Sequence, residues 1–140
     1  MAADPQRILV VEPKHGARSQ LTEAILRHAA ADRYDVSSAG IEPVSSLDGV
    51  AEVLAEGGIG AFDPAQRRLT NSLHPSPDLL LIVCEEGCGS CPYVPGARRV
   101  VRWPQPDPEA VGPEDRRVTL RQIRDDVLER AHSLPGLLPV

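Results

Sequence analysis

The segment Ile8-Leu9-Val10-Val11-Glu12-Pro13-Lys14-His15-Gly16-Ala17-Arg18-Ser19-Gln20 decides the fold of this 140-residue chain. An unbroken run of β-branched and Leu residues has no polar alternation, so it reads as a strand buried on both faces. It runs into a short loop containing Gly16, and Arg18-Ser19 then open a helix. A strand, a tight loop and a helix in that order can surround an anion with backbone N–H groups at a helix N-terminus. A Cys-x5-Arg phosphate cradle would need a Cys six residues before Arg18, and Glu12 stands there instead.

Outward from this segment, strands and helices alternate. The pattern predicts strands over 7–11, 34–39, 78–84 and 99–103. It predicts helices over 19–31, 46–56 and 114–133, with a short helix inside the Pro-containing stretch 63–71. Leu21, Ala24, Ile25, His28 and Ala29 fall on one face of the first helix, and Leu47, Val50, Ala51 and Leu54 on one face of the second. Leu120, Ile123, Val127, Ala131 and Leu134 do the same in the last helix, which Pro135-Gly136 is expected to end. Such alternation implies right-handed crossovers and a parallel sheet. The expected architecture is a single α/β domain spanning 1–140, a three-layer sandwich around a four-stranded parallel sheet. Ligand sites of such sheets lie beyond the carboxyl ends of the strands. The 12–19 loop and Cys84 both sit there.

Composition excludes several classes. The net charge of −5 disfavours nucleic acid, whose ligands carry a basic stripe. No long apolar span and no basic-then-apolar leader is present, so neither membrane insertion nor secretion is expected. Three cysteines packed into 84–91 do not form a secreted disulfide framework, and a reducing cytoplasm is the expected compartment.

Taken in order, these pieces resemble the low-molecular-weight protein tyrosine phosphatase family and, within it, the thioredoxin-coupled arsenate reductases. The resemblance rests on Ala17-Arg18-Ser19-Gln20, Ser38-Ala39-Gly40 with Glu42-Pro43, Leu54 through Gly58-Ile59, Val83-Cys84-Glu85-Glu86, Cys91-Pro92, Trp103-Pro104 and Asp107-Pro108. It implies the phosphotyrosine protein phosphatase I type of fold. In that family a loop Cys attacks phosphorus or arsenic, a loop Arg and backbone N–H groups hold the oxyanion, and an Asp-Pro aspartate protonates the leaving group. Arg18 and Asp107 match those positions, whereas Glu12 replaces the nucleophile. Cys84 and Cys91 match the pair that relays oxidation outward in arsenate reductases.

A carboxylate is a poor nucleophile toward phosphate esters and cannot begin a thiol relay. Its charge also opposes a bound anion, by about 4 kcal/mol at ~4 Å and an effective dielectric of ~20. Pro13 removes one backbone donor from the loop. The residues Lys14, His15, Gly16, Ala17, Arg18 and Ser19 therefore read as a degenerate anion cradle. In one reading Glu12 pairs with Arg18 and fills the vacated site.

Cys84, Cys88 and Cys91 form C-x3-C-x2-C, with Gly87 and Gly89 to turn the backbone. Three thiolates suit Zn2+, an Fe–S cluster with an open iron, or As(III), with Glu12 or His15 as a candidate fourth ligand. The expected function is a non-hydrolytic protein that binds a small ion or metalloid in a binding or regulatory role. Two alternatives stand beside it. One is an arsenate reductase or phosphatase working through Cys84, Cys88 and Cys91. The other is a protein-interaction module with a vestigial site.

Overall fold

A computed structural model describes residues 6–14, 16–30, 33–42, 47–59, 77–84 and 96–137. Within them β1 (Gln6–Lys14) leads to α1 (Ala17–Ala30), β2 (Tyr34–Glu42) and α2 (Val50–Glu56). The chain continues through β3 (Leu79–Ile82), β4 (Arg99–Arg102) and α3 (Pro113–Arg130), then a 3-10 turn (Ala131–Ser133) and α4 (Leu134–Leu137). All four strands are parallel, in the order β2-β1-β3-β4. β1 pairs Val10 with Ser38 on one side and with Leu81 on the other. The chain therefore steps one way from β1 to β2, then returns across β1 to β3. That reversal opens a crevice at the carboxyl ends of β1 and β3, the place where open α/β sheets bind ligands.

Strand alternation separates two cores. Ile8, Val10, Leu79, Leu81 and Val83 face the larger one, where Leu21, Ile25, Val53, Leu54, Leu120 and Ile123 of α1, α2 and α3 meet them. Leu9, Val11, Ala39, Leu80, Ile82 and Cys84 form a smaller, equally buried cluster on the opposite face. The runs in β1 and β3 are apolar throughout because both of their faces are closed. β4 is different. Arg99, Val100 and Arg102 are exposed, as suits an edge strand that charged side chains protect from pairing with another chain.

The helix faces depart from simple periodicity. α1 is buried almost all round from Ser19 to Leu26, including the polar Ser19, Gln20, Thr22 and Glu23. His28 and Ala29, expected inside, are exposed. The reason is position: α1 contributes side chains to the main core only as far as Leu26, and its last turn lies outside that core. The buried Glu23 is met by Ser38 Oγ, which donates at 2.9 Å, and by Arg27 Nη1 at 3.7 Å. α2 begins at Val50 rather than 46, after the left-handed Gly49, and buries Val53 while Ala51 is exposed. It ends as the Gly57-Gly58 pair predicts. Gly58 has φ +79°, and Ile59 N–H reaches back to the Leu54 carbonyl at 2.9 Å, closing a Schellman cap. The last helix turns through 3-10 geometry at Ala131–Ser133 and continues through Pro135 and Gly136 to Leu137. Proline is tolerated there because it lies in the first turn of α4, where its missing N–H is not needed. The short helix expected over 63–71 lies outside the described residues.

One surface cluster joins α2 to α3. Arg121 grips Glu56 through Nε and Nη2 at 2.8 and 2.9 Å, and Arg124 Nη1 reaches the same carboxylate at 3.3 Å. Chiefly through the hydrogen bonds from Arg121, the Glu56 carboxyl is lowered from its ordinary 4.5 to about 2. A depressed folded-state value means that this contribution is complete above about pH 4.5 and disappears as pH falls toward 2. Urea titrations from pH 6 to pH 2 should show the native chain losing its advantage over Glu56→Gln across that window. The difference should also shrink at high salt, because the cluster is exposed.

Candidate active site

The crevice at the ends of β1 and β3 is built around one carboxylate. Glu12 is 2% exposed. It points to the helical side, in phase with Ile8 and Val10, and so reaches the N-terminus of α1. Its Oε1 accepts from Gly16 N–H at 3.0 Å, Ser19 N–H at 2.8 Å and Ser19 Oγ at 2.6 Å. Its Oε2 accepts from Arg18 Nε at 3.0 Å. Four donors thus converge on one side chain. Two are backbone N–H groups at the start of a helix, where the dipole favours negative charge. One is a guanidinium whose own side chain is only 12% exposed.

The loop has the donor set of an anion site, and the chain's own carboxylate sits in it. Burying an ion pair costs several kcal/mol of hydration per ion, and only close geometry with every lone pair satisfied repays it. Here the geometry is close: the hydrogen bonds to the carboxylate are charge-assisted, and the two from Ser19 are short.

Around Arg18 a second layer of contacts ties the cradle to the segment after β4. Arg18 Nη1 donates to the Gln105 carbonyl at 3.4 Å. Thr22 Oγ donates to the Arg18 carbonyl at 2.8 Å and accepts from Gln105 Nε2 at 3.1 Å. Gln105 N–H donates to the Val83 carbonyl at 3.2 Å. Gln105 is therefore bound to α1, to Arg18 and to the end of β3, at 2% exposure. Neither it nor Thr22 stood out in the sequence. A Gln between two prolines carries no chemical signature, and its partners lie far away along the chain.

Asp107 follows two residues later and is half buried. Its Oδ1 accepts from Glu109 N–H at 2.9 Å and its carbonyl from Ala110 N–H at 3.1 Å, so it organises the turn that follows Gln105. Trp103, at the start of the same segment, is buried in the main core, with Arg130 of α3 6.0 Å from its ring centroid.

Gly16, Ala17, Arg18 and Ser19 come together with Glu12 in the cradle, while Lys14 contributes its backbone to β1, opposite Glu42. Cys84 lies two residues beyond the end of β3 and is buried with Leu80 and Ile82 on the face of the sheet opposite Glu12. The carboxylate named as a fourth metal ligand is already committed to the four donors described above. Cys88, Cys91 and His15 lie outside the described residues. Among the described residues, no group of three or more His, Cys, Asp or Glu is placed to hold a metal. No helix among them is long and apolar enough to cross a membrane.

Comparison with known proteins agrees with this architecture. The chain is 27% identical over 118 residues to an arsenate reductase of Halalkalibacterium halodurans, covering 83% of this chain and 85% of that one. The fold matches an arsenate reductase from Archaeoglobus fulgidus with a TM-score of 0.69 and 27% identity, over 91% of this chain and 99% of the other. It also matches an arsenate reductase in a phosphate-binding state, with a TM-score of 0.77 and 22% identity over 96% of this chain and 99% of that one, a likeness of fold alone. The family model for low molecular weight phosphotyrosine protein phosphatase matches residues 7–133. A four-stranded parallel sheet, a cradle loop at its switch point and a match of this extent agree, and the chain belongs to the low molecular weight phosphotyrosine protein phosphatase family.

Proposed function

We propose that this chain is a non-hydrolytic member of its family in which Glu12 stands where the nucleophile belongs and serves as a tethered anion, keeping the cradle permanently filled. The observation that carries this reading is the set of four donors on one carboxylate. A substrate oxyanion would need the same donors. To enter, it would have to displace a covalently attached rival and then sit beside its negative charge. Arg18 is spent on Glu12. Asp107, the position the family resemblance gives to a general acid, has no attacking group to serve.

The activity assays are direct. The native chain should leave para-nitrophenyl phosphate unhydrolysed, and arsenate should cause no thiol oxidation in it. Turnover abolished by Arg18→Ala would refute the reading and favour an enzyme working through Cys84, Cys88 and Cys91.

The same proposal gives the 84–91 loop the remaining chemistry, as a thiolate site for a soft cation such as Zn2+ or As(III) or for an Fe–S cluster. Its support is the C-x3-C-x2-C spacing and the placement of Cys84 at the end of β3, beside the switch point. Protein purified without oxygen should contain metal or take up Zn2+ or As(III) stoichiometrically, and Cys88→Ser should lower that uptake. Unchanged uptake in a variant lacking all three cysteines would refute the assignment. A chain that neither turns over substrate nor takes up a cation would leave protein interaction as the role of the fold.

A further inference from the structure

At the other end of the sheet from the cradle, where β2 begins, a cleft of about 340 Å³ opens between the last turn of α1 and the end of α3. Its inner wall is apolar. Leu134 is 1% exposed, and Leu128 and Ala131 pack half-buried against the main core. Its rim is cationic and polar, formed by Arg33, His132 and the ring of Tyr34. Nearby arginines are neutralised within the fold: Arg27 pairs with Glu23 and Arg130 with Asp126. Arg33 lines the cleft and has no carboxylate or hydrogen-bond partner among the described residues.

We propose that this cleft is a second binding site, for a small carboxylate with a compact apolar body. Its volume falls within the range of small-molecule sites, and such sites combine apolar walls with a few polar groups that fix orientation. The apolar body would cover Leu128, Ala131 and Leu134. The carboxylate would take the planar donor fork of Arg33, with His132 beside it. A monoanion fits better than a dianion. α1 ends here, and its carbonyl end opposes a second negative charge. The site shares no residue with the cradle, so it stands or falls independently of the role given to Glu12.

The test is a titration of the isotope-labelled full chain, followed by backbone amide signals. Phenylacetate is the probe, with benzylamine and phenyl phosphate for comparison. Phenylacetate should shift signals of residues around Arg33, Tyr34 and Leu134 saturably and leave Gly16–Ser19 unmoved. Arg33→Gln, an exposed substitution, should weaken binding at least tenfold. Benzylamine should not saturate, and phenyl phosphate should bind more weakly than phenylacetate. Any one of three results overturns the proposal: no saturable shift at the cleft, equal binding by Arg33→Gln, or tighter binding of either control.

Discussion

Glu12→Ala is expected to destabilise the chain by about 3–5 kcal/mol, the usual consequence of removing one member of a buried ion pair. Arg18, Gly16 N–H and Ser19 would each lose an acceptor in a largely buried site. The melting temperature should fall by about 10 °C or more for a domain of this size. A merely structural carboxylate would give the same loss, so the second half of the experiment matters more. Inorganic phosphate, added to the variant, should restore much of the stability by occupying the vacated donors. At about 100 times its dissociation constant it would return about 2.7 kcal/mol. The native chain should show no such response. Thermal unfolding of both proteins across a phosphate series, with chloride holding ionic strength constant, gives the comparison.

Glu12→Cys is expected to have the largest effect on chemistry. The thiol would lie among the donors that now hold the carboxylate. Arg18 and the N-terminus of α1 would favour its thiolate. Arg18, relieved of its partner, would be available to the phosphoryl oxygens, and Asp107 would have a reaction to serve. Hydrolysis of para-nitrophenyl phosphate should rise about 10³-fold or more above the native chain. Adding Arg18→Ala should remove the gain. An inert Glu12→Cys chain that still binds phosphate would locate the remaining defect in the backbone just after position 12, where Pro13 at the end of β1 offers no N–H.

Much of this was legible in the residues, for identifiable reasons. The apolar runs at 8–11 and 79–83 can be closed only by burial on two faces, so they announce central parallel strands. Gly57-Gly58 announces a helix stop because the cap needs a residue with positive φ. The pairing of Glu12 with Arg18 follows from a short loop that returns to the strand it leaves. What periodicity could not supply was the burial of polar residues. Thr22 and Glu23 look like a solvated face of α1, yet they are enclosed because Gln105 and Ser38 arrive from elsewhere to satisfy them, with Arg27 of the same helix beside Glu23. His28 misled for the opposite reason: it keeps the apolar phase of α1 past the point where the helix leaves the core. The donor set around Glu12 was half visible. Arg18 and Ser19 were evident as cradle residues, but the convergence of both Ser19 donors on one oxygen depends on how α1 starts at Ala17.

A cradle filled by Glu12 leaves no room for a solution anion in the native protein. Inorganic phosphate titrated into the native chain by isothermal calorimetry should give no saturable heat, whereas the same titration into Glu12→Ala should. Saturable binding to the native chain that disappears in Arg18→Ala would show the cradle open to solution anions and contradict the account.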